Sequence, residues 1–231
     1  MSNSITKERR FRGRLREHLA RIGKAVASPT RLAILEVLGQ GARTVEAIAE
    51  EIRQSVANTS HHLQVLREAR LVDARKVGLY VHYRLAHPEV VSLQRSMRVL
   101  AEGQYEEVQR LLNAYVHDRD HLQPVSREEL VTRAREGTVV VLDVRPIAEY
   151  RSGHIPGAIS LPLKDLDARL SELPDGAELV AYCRGPYCLL AFEAVERLRA
   201  GGRSARRLVE GFPEWRAAGL PVEVWTEENA R

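Results

Sequence analysis

The residues of this sequence best suited to covalent chemistry lie in one short stretch. It contains Cys183 and Cys188, the two cysteines of the 231-residue chain. An apolar run at 177–182 precedes them and predicts a buried strand, and apolar residues at helical spacing follow from 189 to 198. A Gly-Pro pair at 185–186 separates the two patterns. The sequence therefore places Cys183 at the end of a strand, in a loop that leads into a helix.

This placement predicts a reactive thiol at Cys183. Backbone N–H groups at the start of a helix point toward whatever the preceding loop presents, and the helix dipole favours negative charge there. Both effects are expected to lower the pKa of the thiol, so that more of it is the nucleophilic thiolate.

Three motifs of the C-terminal half resemble the signatures of the rhodanese (sulfurtransferase) family. The first is Leu142-Asp143-Val144-Arg145, followed by Glu149-Tyr150 and Gly153-His154-Ile155-Pro156-Gly157-Ala158. The second is Cys183-Arg184-Gly185-Pro186-Tyr187-Cys188, and the third is Gly211-Phe212-Pro213-Glu214-Trp215, followed by Gly219-Leu220-Pro221-Val222. The resemblance implies a compact α/β domain with a parallel sheet over residues 126–226, and a cysteine, Cys183, that accepts sulfane sulfur as a persulfide. Related phosphatases and arsenate reductases have a longer loop that ends in Arg; Leu189 stands there in this chain, which disfavours cleavage of oxyanions.

Two further residues of the loop are predicted to assist Cys183. The positive charge of Arg184 could hold thiosulfate or stabilise a persulfide anion. Cys188 has two interpretations. It is either a small buried residue at the helix start or a resolving thiol that attacks the persulfide, releases sulfide and closes a disulfide with Cys183.

The composition predicts a folded protein of two modest domains. Hydrophobic residues make up 44% and charged residues 29% of the chain, which is typical of globular proteins. No apolar run approaches the roughly 20 residues of a membrane span, and residues 1–16 lack the apolar segment of a secretory signal. We therefore expect a cytoplasmic location, where cysteines are more often reactive than structural.

The two halves of the chain differ in charge. The net charge of +4 divides into +7 over residues 1–117 and −3 over residues 118–231. A basic N-terminal half favours a polyanionic partner.

The pattern of the N-terminal half predicts a helix-turn-helix followed by a β-hairpin. Helix starts are predicted at Ser28-Pro29, at Thr44 and at Ser55. The helix from Ser55 should end near Glu68 and bury Thr59, Leu63 and Leu66. Two short strands around Gly78 complete a winged helix, an α+β fold that is mostly α.

The segments Ser28–Leu32 and Ser60–Ala69 resemble the ArsR family of bacterial repressors, and the resemblance covers residues 15–115. It implies transcription regulation, binding of double-stranded operator DNA, and a homodimer formed through one long helix from Pro88 to about Val116. The predicted domains are residues 1–117 for DNA binding and dimerisation, a linker at 118–125, and the rhodanese-like domain.

A recognition helix reads bases with polar side chains near its N-terminus, while the wing meets phosphates. The predicted recognition-helix residues are Asn58, Ser60, His61, Gln64 and Arg67; the predicted wing residues are Arg75, Lys76 and Arg84. The alternative is an interaction module that kept the fold and lost DNA binding.

No metal or cofactor is predicted. The cysteines of the usual ArsR metal site are absent from residues 47–50, which puts arsenic or zinc sensing in doubt. His117 and His121 have the i, i+4 spacing of a metal pair, but that spacing more often marks the solvated end of a helix.

Three functions remain open at this point. The first is a transcriptional regulator that senses sulfane sulfur, such as thiosulfate or polysulfide, through a persulfide on Cys183. The second is a sulfurtransferase enzyme with an attached DNA-binding domain. The third is a redox or metalloid sensor that uses the pair Cys183 and Cys188.

Overall fold

A computed structural model describes residues 2–116 and 124–225 of the chain. It divides into two compact units, Met1–Val90 and Val91–Arg231. The linker predicted at 118–125 falls mostly outside the described residues, so the domain boundaries drawn from the sequence stay predictions. No helix in the described ranges is long and apolar enough to cross a membrane.

The first unit is a winged helix, as the sequence predicts. Its elements are α1 (Ser2–Val26), α2 (Pro29–Gly39), β1 (Arg43–Thr44), α3 (Val45–Glu51), α4 (Val56–Glu68), β2 (Val72–Val77) and β3 (Tyr80–Leu85). The strands form an antiparallel sheet in the order β1-β3-β2. The predicted hairpin is β2 and β3, and Gly78 adopts a positive φ of 60° at its turn.

Local capping explains where α3 and α4 begin. The hydroxyl of Thr44 accepts a hydrogen bond from the Ala47 N–H at 3.4 Å, and that of Ser55 accepts one from the Asn58 N–H at 3.2 Å. Ser28 precedes α2 as predicted, but its side chain makes no capping bond. The buried face of α4 is Thr59, Leu63 and Leu66, which confirms the predicted orientation of the helix.

The second unit contains the remaining elements. They are α5 (Glu89–Gln104, which begins two residues before the division), α6 (Glu106–Tyr115), α7 (Arg127–Arg135), β4 (Val139–Asp143), α8 (Ile147–Ser152), β5 (Ile159–Ser160), β6 (Glu178–Tyr182), α9 (Leu189–Ala200), β7 (Ala205–Arg207) and α10 (Phe212–Ala217). Two 3-10 segments, Leu163–Asp165 and Asp167–Glu172, lie between β5 and β6. The sheet is parallel throughout, in the order β5-β4-β6-β7.

The central strands β4 and β6 are buried on both faces. Leu142, Leu179 and Ala181 pack into one apolar cluster, whereas Val141 and Val180 pack into the other. This alternation follows from the two-residue period of a strand. The near-continuous apolar runs of the sequence are therefore those of a covered parallel sheet, and the predicted α/β domain is confirmed.

The single long helix predicted from Pro88 to about Val116 is wrong. The segment is two helices, because Tyr105 adopts an extended conformation (φ −112°, ψ 113°) between α5 and α6. Gly103 weakens the helix just before this break. The bend lets Leu112 and the following Val116 enter the apolar cluster of the second unit, and that burial favours two helices over one.

Candidate functional site

The two cysteines lie where the sequence places them, at either end of the loop between β6 and α9. Cys183 directly follows β6, and Cys188 is the residue before the first turn of α9. A disulfide joins them, with their Cα atoms 6.2 Å apart. Neither sulfur titrates in this state, so the lowered pKa predicted for the Cys183 thiol concerns the reduced protein.

The loop is anchored at both cysteines by backbone hydrogen bonds. The carbonyl of Cys183 accepts from the Phe212 N–H at 3.0 Å, and the N–H of Cys188 donates to the Gly185 carbonyl at 3.1 Å. Cys183 is only 2% exposed and belongs to the apolar cluster that also contains Ala181 and Ala191, whereas Cys188 is half-buried at the edge of that cluster. Cys188 is thus the more accessible residue of the closed pair.

Arg184 is engaged by a carboxylate in this structure. Its guanidinium donates hydrogen bonds to the carboxylate of Glu149 of α8, from Nε at 3.0 Å and 3.2 Å to the two oxygens and from Nη2 at 2.5 Å. Glu149 is 5% exposed, and a buried carboxylate requires such a partner. The predicted anion-holding role of Arg184 stays a prediction. Glu149 lies within the first rhodanese-like motif, but sequence reasoning did not connect it with Arg184.

A fully buried polar network supports the strand ends beside Cys183. The carboxylate of Asp143 accepts from Arg145 Nη2 at 2.5 Å and from the Tyr182 hydroxyl at 2.6 Å. Arg145 also donates to the Gly153 carbonyl at 2.8 Å. Burial and the neighbouring Asp143 charge raise the pKa of Tyr182 well above its ordinary value, so its hydroxyl remains a donor. Asp143 therefore acts as a structural anchor for these strand ends.

The turn before α10 presses directly on the cysteine loop. A Cβ atom on Gly211 would lie 2.3 Å from the Gly185 nitrogen and 2.5 Å from its Cα, closer than any real side chain allows. The Gly211 N–H donates to the Glu214 carboxylate at 3.1 Å. The glycine of the last rhodanese-like motif thus permits backbone contact with the loop.

Side chains of α5 reach the same loop, which sequence reasoning missed. The Tyr187 hydroxyl donates a hydrogen bond to the Glu102 carboxylate. Arg98 lies over the Tyr187 ring, 5.4 Å from its centroid, and its Nη1 is 3.2 Å from Glu214 Oε1. These contacts join residues far apart in the chain, so no local pattern could have revealed them.

The predicted DNA-contacting residues lie on two neighbouring elements of the first unit. Those on the outer face of α4 are Ser60, His61, Gln64 and Arg67, all exposed, together with the half-buried Asn58; those on the hairpin are Arg75, Lys76 and Arg84, also exposed. Asn58 donates to Gln54 at 2.9 Å, and Arg84 pairs with Asp73 at 3.4 Å. Their role in contacting DNA stays a prediction.

The His117 and His121 pair falls outside the described residues. Within 2–116 and 124–225, no group of three or more His, Cys, Asp or Glu side chains is placed to hold a metal ion.

Two protein-family models match the chain in the order that the motifs suggest. A helix-turn-helix domain matches residues 26–75, and a rhodanese-like domain matches residues 126–218.

Known proteins share one or both parts. The chain is 42% identical over 213 residues to the HTH-type transcriptional regulator Rv0324 of Mycobacterium tuberculosis, which covers 90% of this chain and 92% of that protein. It is 33% identical over 85 residues to a sulfurtransferase of Allochromatium vinosum, which covers 36% of this chain and 78% of the relative. The homodimeric winged helix-turn-helix DNA-binding domain of Mb0332 from Mycobacterium bovis is 39% identical over 41% of this chain and 88% of that structure, with a TM-score of 0.39.

Proposed function

Since this chain belongs to the ArsR-type helix-turn-helix transcriptional regulators that carry a C-terminal rhodanese-like domain, we propose that it senses sulfane sulfur through a persulfide on Cys183. The observation that carries the proposal is the pairing of the two cysteines of the chain in one loop, with Cα atoms 6.2 Å apart. The thiol of Cys188 is therefore within reach of the Cys183 sulfur.

The proposed reaction has two steps. The Cys183 thiolate attacks the sulfane sulfur of a polysulfide; an S–S bond forms to Cys183 while the shortened polysulfide leaves with the electron pair. The Cys188 thiolate then attacks the Cys183 sulfur, closes the disulfide and expels hydrosulfide. The outer sulfur is reduced by two electrons as the two thiols are oxidised. Two molecules of a low-molecular-weight thiol return the pair to the reduced state and become a disulfide themselves.

The winged helix is the part of the chain proposed to bind DNA, and its affinity for DNA is what the sulfur chemistry would change. We expect α4 to enter the major groove of operator DNA and the hairpin to contact phosphates. Exposed apolar side chains on α1, with Phe11 65% and Leu19 58% exposed, fit the homodimer that the ArsR resemblance implies. A symmetric operator would follow from its two-fold axis, and such a regulator would work in the cytoplasm.

A titration of operator DNA with wild type and with Cys183→Ser, each with and without polysulfide, tests the proposal. We expect polysulfide to weaken wild-type binding by roughly 5-fold to 150-fold, the usual range of coupling between two sites. The serine variant should bind DNA and ignore polysulfide, because it has no sulfur nucleophile at position 183. A full response in Cys183→Ser would rule out this residue as the sensor.

Enzymatic sulfur transfer is the second candidate, favoured by the likeness to the Allochromatium vinosum sulfurtransferase. It predicts steady release of product from thiosulfate and an acceptor thiol or cyanide, whereas a sensor is modified once. A redox or metalloid sensor is the third candidate, favoured by the closed pair itself. Intact mass of Cys188→Ser, which cannot resolve a persulfide, separates sulfane-sulfur chemistry from simple oxidation: a gain of one sulfur atom after polysulfide marks a persulfide on Cys183, whereas an oxidant alone adds no sulfur.

A further inference from the structure

Tyr187, the residue before Cys188, is held by two side chains of α5. Its hydroxyl donates to the carboxylate of Glu102, and the Arg98 guanidinium lies 5.4 Å from its ring centroid. Arg98 Nε is in turn 3.7 Å from Glu102 Oε1. We call these three residues the Tyr187 clasp.

Arg98 of the clasp also contacts α10, and the turn before α10 packs against the cysteine loop. Arg98 Nη1 lies 3.2 Å from Glu214 Oε1, and the other oxygen of Glu214 accepts from the Gly211 N–H at 3.1 Å. Gly211 packs against the backbone of Gly185. Arg98 is therefore connected to the loop both through Tyr187 and through the turn that presses on Gly185.

The charged side chains of these contacts are partly or fully buried, whereas Tyr187 itself is 38% exposed. The side chains of Arg98 and Glu102 are 24% and 31% exposed, and that of Glu214 is 8% exposed. Charged hydrogen bonds in such surroundings are stronger and less screened than those of a solvated surface pair. We therefore expect a displacement of Tyr187 to disturb Arg98 and Glu102 of α5.

The position of Tyr187 depends on the bond at the next residue. The disulfide fixes Cys188 relative to Cys183, whereas a dithiol or a persulfide leaves Cys188 without that restraint. We infer that the Tyr187 clasp is the element that reports the sulfur state of the loop to α5: the disulfide closes it and reduction releases it. This inference rests on the proposed function, since it names how that same loop acts on the rest of the chain.

The closed clasp also fixes an apolar surface. Val99 and Leu100 lie between the two charged residues of α5 and are 51% and 64% exposed. Holding Arg98 and Glu102 in place therefore orders the helical turn that presents these apolar side chains, which provides a physical route from sulfur chemistry to subunit association.

Hydrogen exchange on the full chain tests the clasp without any sulfur donor. In the disulfide form, amides of residues 98–104 should exchange severalfold more slowly than in the form reduced by a thiol. Tyr187→Phe removes the donor of the hydrogen bond, and Glu102→Gln removes the charge that strengthens this bond and pairs with Arg98, so both should abolish this difference. Glu106→Gln is the matched control, because Glu106 pairs with Arg110 on an exposed face. Equal exchange in the two wild-type forms would overturn the inference.

Operator binding then separates failure of the clasp from failure of the proposed function. Wild type should change its affinity by at least about fivefold on polysulfide treatment, and Glu102→Gln by less than about twofold, while mass spectrometry shows sulfur reaction at Cys183 in both. A full response in Glu102→Gln and Tyr187→Phe would overturn the clasp and leave the proposed function standing. Loss of sulfur reaction in both variants would also contradict it, because their role would then be in the chemistry. A wild type that ignores polysulfide would contradict the proposed function, and the exchange result would still decide the clasp.

Discussion

Asp143 and Arg145 form an ion pair with no exposed surface on either side chain. Burial alone lowers the pKa of Arg145, but the hydrogen bonds and charge of Asp143 outweigh it, so that the pKa is raised overall. The pair is best regarded as a support for the strand ends beside Cys183, because a buried pair offsets a large desolvation cost before it stabilises anything. Removing one partner of the pair is therefore the substitution that tests how the pair supports the fold.

We expect Asp143→Asn to destabilise the protein by about 3–5 kcal/mol, since it leaves the Arg145 charge buried without compensation. Denaturant unfolding of the reduced protein measures this. Asp175→Asn is the control, because Asp175 is 98% exposed and pairs with Arg203 at the surface; it should cost less than about 1 kcal/mol. Equal losses of unfolding free energy in the two variants would contradict the supporting role of the buried Asp143 and Arg145 pair.

At the scale of elements, the cysteine loop and the turn before α10 behave as one unit. The Cys183 carbonyl bonds the Phe212 N–H, and Gly211 leaves no room for a side chain against Gly185. The geometry of the closed pair therefore depends on an element that begins more than twenty residues later in the chain.

Gly211→Ala should destabilise the protein by about 1–3 kcal/mol through overpacking, and should slow closure of the cysteine pair. The backbone of Gly211 is not strained (φ −106°), so the effect would come from contact alone. Thermal unfolding and the rate of disulfide formation measure the two effects. Gly13→Ala in α1 has free space around the new methyl group and should be neutral or stabilise by up to about 1 kcal/mol. A Gly211→Ala protein as stable as wild type would mean that the loop can move away at no cost.

The elements that the sequence predicts correctly are those decided locally. Thr44 and Ser55 begin helices because their hydroxyls accept from N–H groups three residues ahead. Cys183 follows an apolar strand and precedes a Gly-Pro turn. The break at Tyr105 could not be predicted, since it depends on where Leu112 finds a core. The same applies to the Arg184 and Glu149 pair, whose members are 35 residues apart.

At the scale of the whole molecule, the two kinds of chemistry occupy separate parts of the chain. The residues predicted to meet DNA all lie in Met1–Val90, and both cysteines lie in Val91–Arg231. The second unit is held along one edge of its sheet by ion pairs between elements. Arg133 of α7 and Arg206 of β7 both bond the carboxylate of Glu178 at the start of β6, at 2.6 Å and 3.5 Å.

The ion pair between Arg133 and Glu178 predicts how the stability of the fold depends on pH. The hydrogen bonds and charge of Arg133 hold the pKa of Glu178 below its ordinary value of 4.5. A carboxyl group whose pKa is lowered by folding stabilises the fold above its unfolded pKa, and that stabilisation is lost as pH falls through the folded pKa. Glu178→Gln should therefore unfold more easily than wild type at neutral pH, and the difference should shrink below about pH 4.5.

Unfolding midpoints of wild type and Glu178→Gln between about pH 7 and about pH 3 check this prediction. Glu106→Gln is again the control, because the Glu106 side chain is 90% exposed and its removal should leave the profile unchanged. A difference in unfolding midpoint between Glu178→Gln and wild type that stayed constant from about pH 7 to about pH 3 would contradict a stabilising role for the ionised Glu178 carboxylate.

The confinement of both cysteines to one loop has a practical consequence for work in living cells. When the disulfide between Cys183 and Cys188 is formed, the polypeptide offers no sulfhydryl to maleimides. It then has no free thiol to form a disulfide with another protein. An alkylating reagent added at lysis would therefore tag the open molecules and leave the shut ones untouched. The ratio of tagged to untagged chains on a gel would give the fraction of molecules whose cysteine pair is closed, since the chain has no other cysteine.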